Sequence, residues 1–349
     1  MNDQSNKKTG EWLRGEGPEN DIVISSRIRL ARNIAGFLFL YKAGIDERKR
    51  INELLRDCIQ KAAVAGDMAY HDLESASVID RNLLVERHLI SKEHAEAQGP
   101  RGVAVGDSEA LSIMVNEEDH LRIQVLQSGF MLKELWSRIS EIDDKLCAHV
   151  DYAFHPQYGY LTACPTNVGT GMRVSVMLHL PALEWTKQLR KVFKAVSKMN
   201  LAVRGLYGEG TQASGDFYQV SNQISLGKTE EEIISTVESV VKQIIRYERQ
   251  VRQALLADSR ANLEDRVWRA YGMLKNCRII SSEETMDLLS SVRMGVNLGL
   301  IEDLNIGTVN ELFIETQPAH LQKREGREID TTQRDRARAQ LIRTRLSAN

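Results

Sequence analysis

Five arginines stand where an amphipathic helix would not have put them. Arg27 and Arg29 lie in SSRIR, Arg122 follows NEEDH, Arg173 closes TNVGTGMR, and Arg204 opens RGLYGE. A spacing of two puts Arg27 and Arg29 on the same face of a strand. Taken singly, such a residue is most often an edge charge or half of a salt bridge. Together they suit a site that holds several phosphates, because a guanidinium is a planar, bidentate donor. Carboxylates adjoin two of them: Glu117 and Glu118 beside Arg122, and Glu209 in the loop that Arg204 opens. A polyphosphate clamp next to paired carboxylates implies phosphoryl transfer to a cationic acceptor.

Other phosphate patterns in the chain fail. LGKT at Leu226–Thr229 resembles the end of a P-loop, but that loop needs glycine where Asn222 stands. Thr229 and Glu232 instead form a capping box that opens a helix. RGLYGEG has its glycines in the order GxxGxG, reversed from the dinucleotide fingerprint, and reads better as a close-approach loop. HRD and DFG signatures are absent, which argues against protein-kinase-fold chemistry. The four cysteines, Cys58, Cys147, Cys164 and Cys277, contain no CxxC pair, so neither a disulfide framework nor a structural zinc site is suggested.

The elements that must carry these residues can be read coarsely. DIVISSRIRLARN reads as a strand; ALSIMVN and LRIQVLQSG read as paired strands with EEDH at their turn. VDYAF, YGYLTACP, LAVRGLYG and FYQVSNQISL add further β signals. Helical patterns cover Asp46–Ala65, Pro181–Lys198 and Thr229–Asp258. Beyond Asp258 the pattern turns wholly helical, over Leu263–Lys275, Glu283–Gly295, Val309–Thr316 and Thr332–Leu346. The expected organisation is α+β: a flexible stretch over 1–20, a catalytic domain over 21–256, and an all-α domain over 257–349. The 349 residues are 42% hydrophobic and 27% charged, with 46 Lys+Arg against 48 Asp+Glu, enough for a sizeable core but too balanced for a generally basic nucleic-acid binder. No apolar run reaches the length of a membrane span, and MNDQSNKKTGEWLRGEG has no signal-peptide core, so a cytoplasmic protein is expected.

SSRIR, NEEDH, CPTNVGTGMR and RGLYGE occur in the order and spacing of the phosphagen (guanidino) kinases, and the resemblance covers roughly Asp21–Asp258. DIVISSRIRLARN, LVERHLIS, LTACPTNVGTG, MLHLPAL and QVSNQISLGK are similar to the bacterial protein arginine kinases of the McsB type, a likeness that runs nearly to the C-terminus. The resemblance implies an antiparallel sheet flanked by helices. It implies ATP held by Ser25, Ser26, Arg27, Ile28 and Arg29, by Arg122, by Arg173, Val174, Ser175, Val176 and Met177, and by Arg204, Gly205, Leu206, Tyr207, Gly208 and Glu209. His88 would lie against the nucleotide, and Mg²⁺ would be held through ATP rather than by protein side chains. Glu118 matches the family's catalytic carboxylate, Glu209 its partner, and Cys164 the cysteine near the acceptor guanidinium.

Small-molecule members of that family carry a helical domain ahead of the SSR segment, for which a start at Ser25 leaves no room. An open pocket that admits a protein side chain is the expectation. RDRARA, Arg334–Ala339, fits the RDxxRA motif of the protein arginine kinases. Arg334 and Arg338 are four apart on a helix, so they would grip phosphate while Asp335 holds the guanidinium, with Ala339 beside them, in a regulatory phosphoarginine pocket. The resemblance also implies partners: protein substrates with exposed arginines, a heat-shock repressor, a small zinc-binding activator, a Clp-type protease, and a second copy of the chain. Two other readings compete, a kinase for a free guanidino metabolite and a phosphoarginine-binding adaptor. Intact Glu118, Glu209 and all five arginines weigh against the adaptor.

Overall fold

The computed structural model describes residues 10–66, 68–205 and 214–347. Its strands are β1 (Val23–Arg32), β2 (Met68–Asp72), β3 (Gly102–Gly106), β4 (Leu111–Val115), β5 (Leu121–Ser128), β6 (Phe154–His155), β7 (Gly159–Tyr160), β8 (Met172–His179), β9 (Leu201–Gly205) and β10 (Phe217–Asn222). All but the small pair β6–β7 join one sheet in the order β2-β3-β4-β5-β1-β8-β10-β9, antiparallel throughout. The helices among them are α1 (Ile45–Ala62), α2 (Val78–Glu86), α3 (Lys92–Glu96), α4 (Leu132–Cys147), α5 (Pro181–Trp185), α6 (Leu189–Ser197) and α7 (Glu230–Asp258). A helical layer follows: α8 (Arg260–Asn276), α9 (Ser282–Asn297), α10 (Ile306–Glu315), α11 (Pro318–Glu325) and α12 (Thr331–Ser347).

Strand alternation gives the sheet two unlike faces. Ile28, Leu30, Ile113, Ile123, Val125, Val174, Val176 and Val220 all point to one of them and are fully buried. Burying each stabilises the fold by about 1.5–3 kcal/mol. Helices α1, α4 and α7 cover that face. The long α7 starts with the anticipated capping box: Glu232 N–H donates to the Thr229 hydroxyl at 3.2 Å, and Thr229 N–H donates to the Glu232 carboxylate at 2.9 Å. The opposite face carries the arginines.

Several expectations need correction. The β8 segment, MRVSVMLH, is a central strand that the sequence reading did not assign, and β2, β3, α2 and α4 were likewise unassigned. The helix expected over Pro181–Lys198 is two, because Lys187 adopts a left-handed conformation at φ +57° between α5 and α6. YGYLTACP forms strand only at Gly159–Tyr160.

The stretch expected to be flexible over 1–20 is held firmly from Gly10 onward. Trp12 and Leu13 are buried in a short 3₁₀ turn, Glu11–Leu13, against β1, β5 and α10. Asn310 donates to the Leu13 carbonyl at 3.1 Å, and Arg293 donates to the carbonyls of Asn20 at 2.7 Å and Asp21 at 3.0 Å. Asn297 and Arg252 also donate to the Asp21 carbonyl, at 2.9 and 3.2 Å. The strap meets the helical layer in two ways, through the apolar side chains of Trp12 and Leu13 and through the backbone carbonyls of Leu13, Asn20 and Asp21. A second core forms where that layer covers one end of the arginine face, through Leu126, Met177 and Phe217.

Candidate active site

β1 lies between β5 and β8, and the register sets the site. Arg29 faces Arg173 directly, Arg27 faces Ser175, and Arg122 lies opposite Ala31. Gln219 of β10 pairs with both Met177 and Arg204. The side chains of Arg27, Arg29, Arg122, Arg173 and Arg204 therefore project from one face of the sheet. Like charges set opposite each other on adjacent strands are destabilising, so this arrangement opposes folding unless an anion offsets it.

The electrostatics agree. Burial, reinforced by Arg122 and Arg173, lowers the Arg27 guanidinium to about 10. Arg29 is lowered further by burial and by the three arginines around it. Arg173 is lowered by burial, then by Arg204 and Arg122, with Cys164 and Glu118 close enough to favour its charge. The Nε atoms of Arg29 and Arg173 are buried and have no hydrogen-bond partner among the described residues. Donors left unpaired in a cationic cluster are what phosphate oxygens satisfy.

Of the stretch Ser25–Arg29, Ile28 turns its side chain into the core, as do Val174 and Val176. Alternation makes this unavoidable: a strand offers only every second side chain to a ligand, so these three cannot touch ATP through their side chains. Ser26 is also fully buried, donating to the Gly129 carbonyl at 2.9 Å and accepting from Met131 N–H at 3.1 Å. Ser25, Ser175 and Met177 share the arginine face. With Arg27 and Gln219 they line a small pocket that also receives His88 and Trp12. Trp12 meets the His88 ring edge-on, with centroids 4.9 Å apart. Burial and Arg27 lower His88 to about 3, so the ring is neutral near pH 7. Trp12 and Gln219 were missed by sequence reasoning; the one signal for Trp12 was a Trp-Leu pair inside an otherwise polar stretch.

The NEEDH turn joins β4 to β5, with Asn116 left-handed at φ +58°. Glu118 is exposed, and burial, Asp119 and Glu117 raise its carboxyl, in the direction that makes a better proton acceptor. Buried Asp119 accepts from Asn33 and from the Ala163 N–H, both at 2.6 Å. That brings the loop bearing Cys164 to the turn. The Cys164 thiol lies 3.0 Å from the Thr166 hydroxyl. Arg204 is exposed on β9 and Gly205 ends that strand. Leu206, Tyr207, Gly208 and Glu209 lie outside the described residues.

The RDRARA segment differs from its expected form. Arg338 is buried, donating to the carbonyls of Thr316 and Ile280, both at 2.9 Å, and to Asp335 at 2.5 Å. Arg334 donates to the Ile329 carbonyl at 2.7 Å and the Thr331 hydroxyl at 2.9 Å. The two guanidinium groups serve different carbonyls and do not form one fork. Ala339 is buried in the second core.

This fold, with its cationic face beside an acidic turn, is that of a guanidino phosphotransferase. A family model for the ATP:guanido phosphotransferase C-terminal catalytic domain matches residues 50–251, and one for the protein-arginine kinase McsB C-terminal domain matches 260–349. The chain is 47% identical over 347 residues, 99% of each chain, to a protein-arginine kinase of Halothermothrix orenii. It is 45% identical to that of Bacillus subtilis over 96% of this chain and 93% of the other. Among solved structures it is similar to the duplicated taurocyamine kinase of Schistosoma mansoni with bound transition state analog components (TM-score 0.61, 29% identity, 71% of this chain but only 35% of that one). A lombricine kinase is also similar (TM-score 0.59, 26% identity, 73% and 74% covered). The chain belongs to the protein-arginine kinase family of ATP:guanido phosphotransferases.

Proposed function

We propose that this enzyme transfers the γ-phosphoryl of Mg-ATP to the guanidinium of arginine side chains in other proteins. The observation that carries this reading is the single sheet face on which five arginines, two with unpaired buried Nε atoms, adjoin the exposed carboxylate of Glu118. A guanidinium is a poor nucleophile while fully protonated. Glu118 orients one of its nitrogens and accepts a proton from it; a P–N bond forms to that nitrogen as the P–O bond to ADP breaks. The arginines stabilise the charge on the transferring group. Cys164 lies on the acceptor side, where it helps position the guanidinium. Glu209 is proposed, from its motif, as the second carboxylate. The face presents cationic donors, which fit phosphate oxygens rather than a metal ion, so Mg²⁺ would accompany ATP and be held by its oxygens.

Incubation with Mg-ATP and an unfolded arginine-containing protein, beside a parallel tube of free arginine, tests this by ³¹P NMR under non-acidic conditions. Label on protein arginine alone supports the reading. Label on free arginine alone would favour a metabolite kinase, the reading that similarity to taurocyamine and lombricine kinases supports. No label, with ATP binding intact, would overturn both.

Regulation and partners rest on family likeness. The proposed marking of proteins for a Clp-type protease, action on a heat-shock repressor, stimulation by a small zinc-binding activator, self-association and a cytoplasmic setting all follow from it. Phosphoarginine sensing is proposed in a narrower form, at the partly exposed Arg334 and Asp335 at the start of α12. Arg338 would contribute by holding Asp335. Unchanged phosphoarginine affinity in Arg334→Ala and Asp335→Ala would rule that out.

A further inference from the structure

The NEEDH turn carries two glutamates, and their surroundings are opposite. Glu118 is exposed, whereas the Glu117 side chain is 5% exposed and engaged on both oxygens. Its Oε1 accepts from Arg122 Nη1 and from the Ser91 hydroxyl, each at 2.5 Å. Its Oε2 accepts from the Glu118 N–H at 2.8 Å. Burial alone would raise the Glu117 carboxyl, but Arg122, Ser91 and that amide together bring it below its ordinary range. A carboxylate so held stays ionised and is a poor proton acceptor. It is well placed to hold other groups still.

Ser91 extends the connection. It is the N-cap of α3, accepting from His94 N–H at 3.1 Å, and lies three residues after His88 of the nucleotide pocket. The His88 carbonyl accepts in turn from Gln124 of β5, at 2.7 Å. One carboxylate therefore touches a phosphate-binding arginine, the backbone of the acceptor-side base, and the helix that follows the nucleotide-side histidine.

We propose that Glu117 is a positioning residue which, with Ser91, locks Arg122 and Glu118 into one rigid unit, so that nucleotide and acceptor are aligned by the same side chain. The proposal rests on Glu118 being the base. Small misplacements of reacting groups are costly, on the order of 10²-fold for about 1 Å.

The test uses the full chain with Glu117→Gln, Ser91→Ala and Ser91→Thr. Glu117→Gln is expected to lower kcat roughly 10- to 100-fold, the size of losing a charged hydrogen bond, without raising KM for ATP. Ser91→Ala should lower kcat by about 3- to 10-fold, and Ser91→Thr should restore it. The groups facing Glu118 are Asp119, Glu117, Glu93, Arg122 and Arg173. Removing the Glu117 charge should therefore shift the acidic limb of the kcat/KM profile, and the Glu118 carboxyl titration followed by ¹³C NMR, to lower pH. Wild-type kcat in Glu117→Gln, or a joint loss of ATP affinity and thermal stability with no shift of the Glu118 titration, would overturn the proposal. A wild-type enzyme that binds ATP but leaves protein arginine unmodified would overturn the functional reading instead, and the carboxyl titration would still decide the role of Glu117.

Discussion

Two sets of arginines in this molecule have opposite circumstances. Arg293 and Arg338 lie in the helical layer, and each donates to several carbonyls or side chains. Arg29 and Arg173, on the sheet, face each other with Nε atoms unpaired among the described residues. The first set is satisfied within the fold; the second leaves buried donors open to a ligand. Arginine content or motif alone does not separate a binding site from a structural clamp. What separates them is whether the donors already have acceptors.

The largest effect that would sharpen this contrast is on the sheet. Arg29→Ala is expected to cost about 10²–10³-fold in transfer rate, while a thermal melt stays at or above the wild-type midpoint because a like charge has been removed. A lowered melting temperature with normal turnover would break the comparison. Next, Arg338→Ala should destabilise the fold by about 3 kcal/mol, since the Thr316 and Ile280 carbonyls lose their donor and Asp335 its cation. Denaturant unfolding would measure it, and an effect confined to activity would contradict the clamp role.

A smaller effect concerns pH. Arg27 is lowered to about 10 in the free enzyme, and bound phosphate favours its charged form, so ATP affinity should be full well below pH 10 and fall as pH rises through that value. Titration calorimetry between pH 8.5 and 10.5 reads this, and a flat profile would show that the cluster costs nothing to charge. Smallest is Arg260→Ala, which removes an exposed i,i+4 pair with Glu264 at 2.7 Å and should shift stability by only about 0.3–0.5 kcal/mol.

The fold class was legible in the sequence, and so were the arginines that share one sheet face, but not every strand that carries them. Arg27, Arg29, Arg122, Arg173 and Arg204 all stand out in the sequence as arginines in strand-like or loop-flanked contexts, and EEDH marks the β4–β5 turn. The strand MRVSVMLH, which carries Arg173, is masked in the sequence because the glycines of TNVGTG just before it signal a loop. Motifs written as unbroken stretches also blurred the pleat: Val174 and Ser175 are neighbours in sequence and lie on opposite faces. Trp12 could not be placed from local pattern, since its neighbours are β1, β5, His88 and α10, the last almost three hundred residues later. Arg338 shows the reverse failure, where helical spacing suggested a shared face but the carbonyls of Thr316 and Ile280 draw its guanidinium inward.

The strap from Gly10 to Asp21 has a consequence for synthesis. Its acceptors are Leu13, Asn20 and Asp21, and its donors include Arg293, Asn297 and Asn310, so these bonds join the first part of the chain to leave the ribosome with nearly the last. Contacts of such sequence separation form late. A nascent chain can pair its central strands and gather its arginines well before these bonds can form, so the strap is joined to the helical layer only once translation has passed α10.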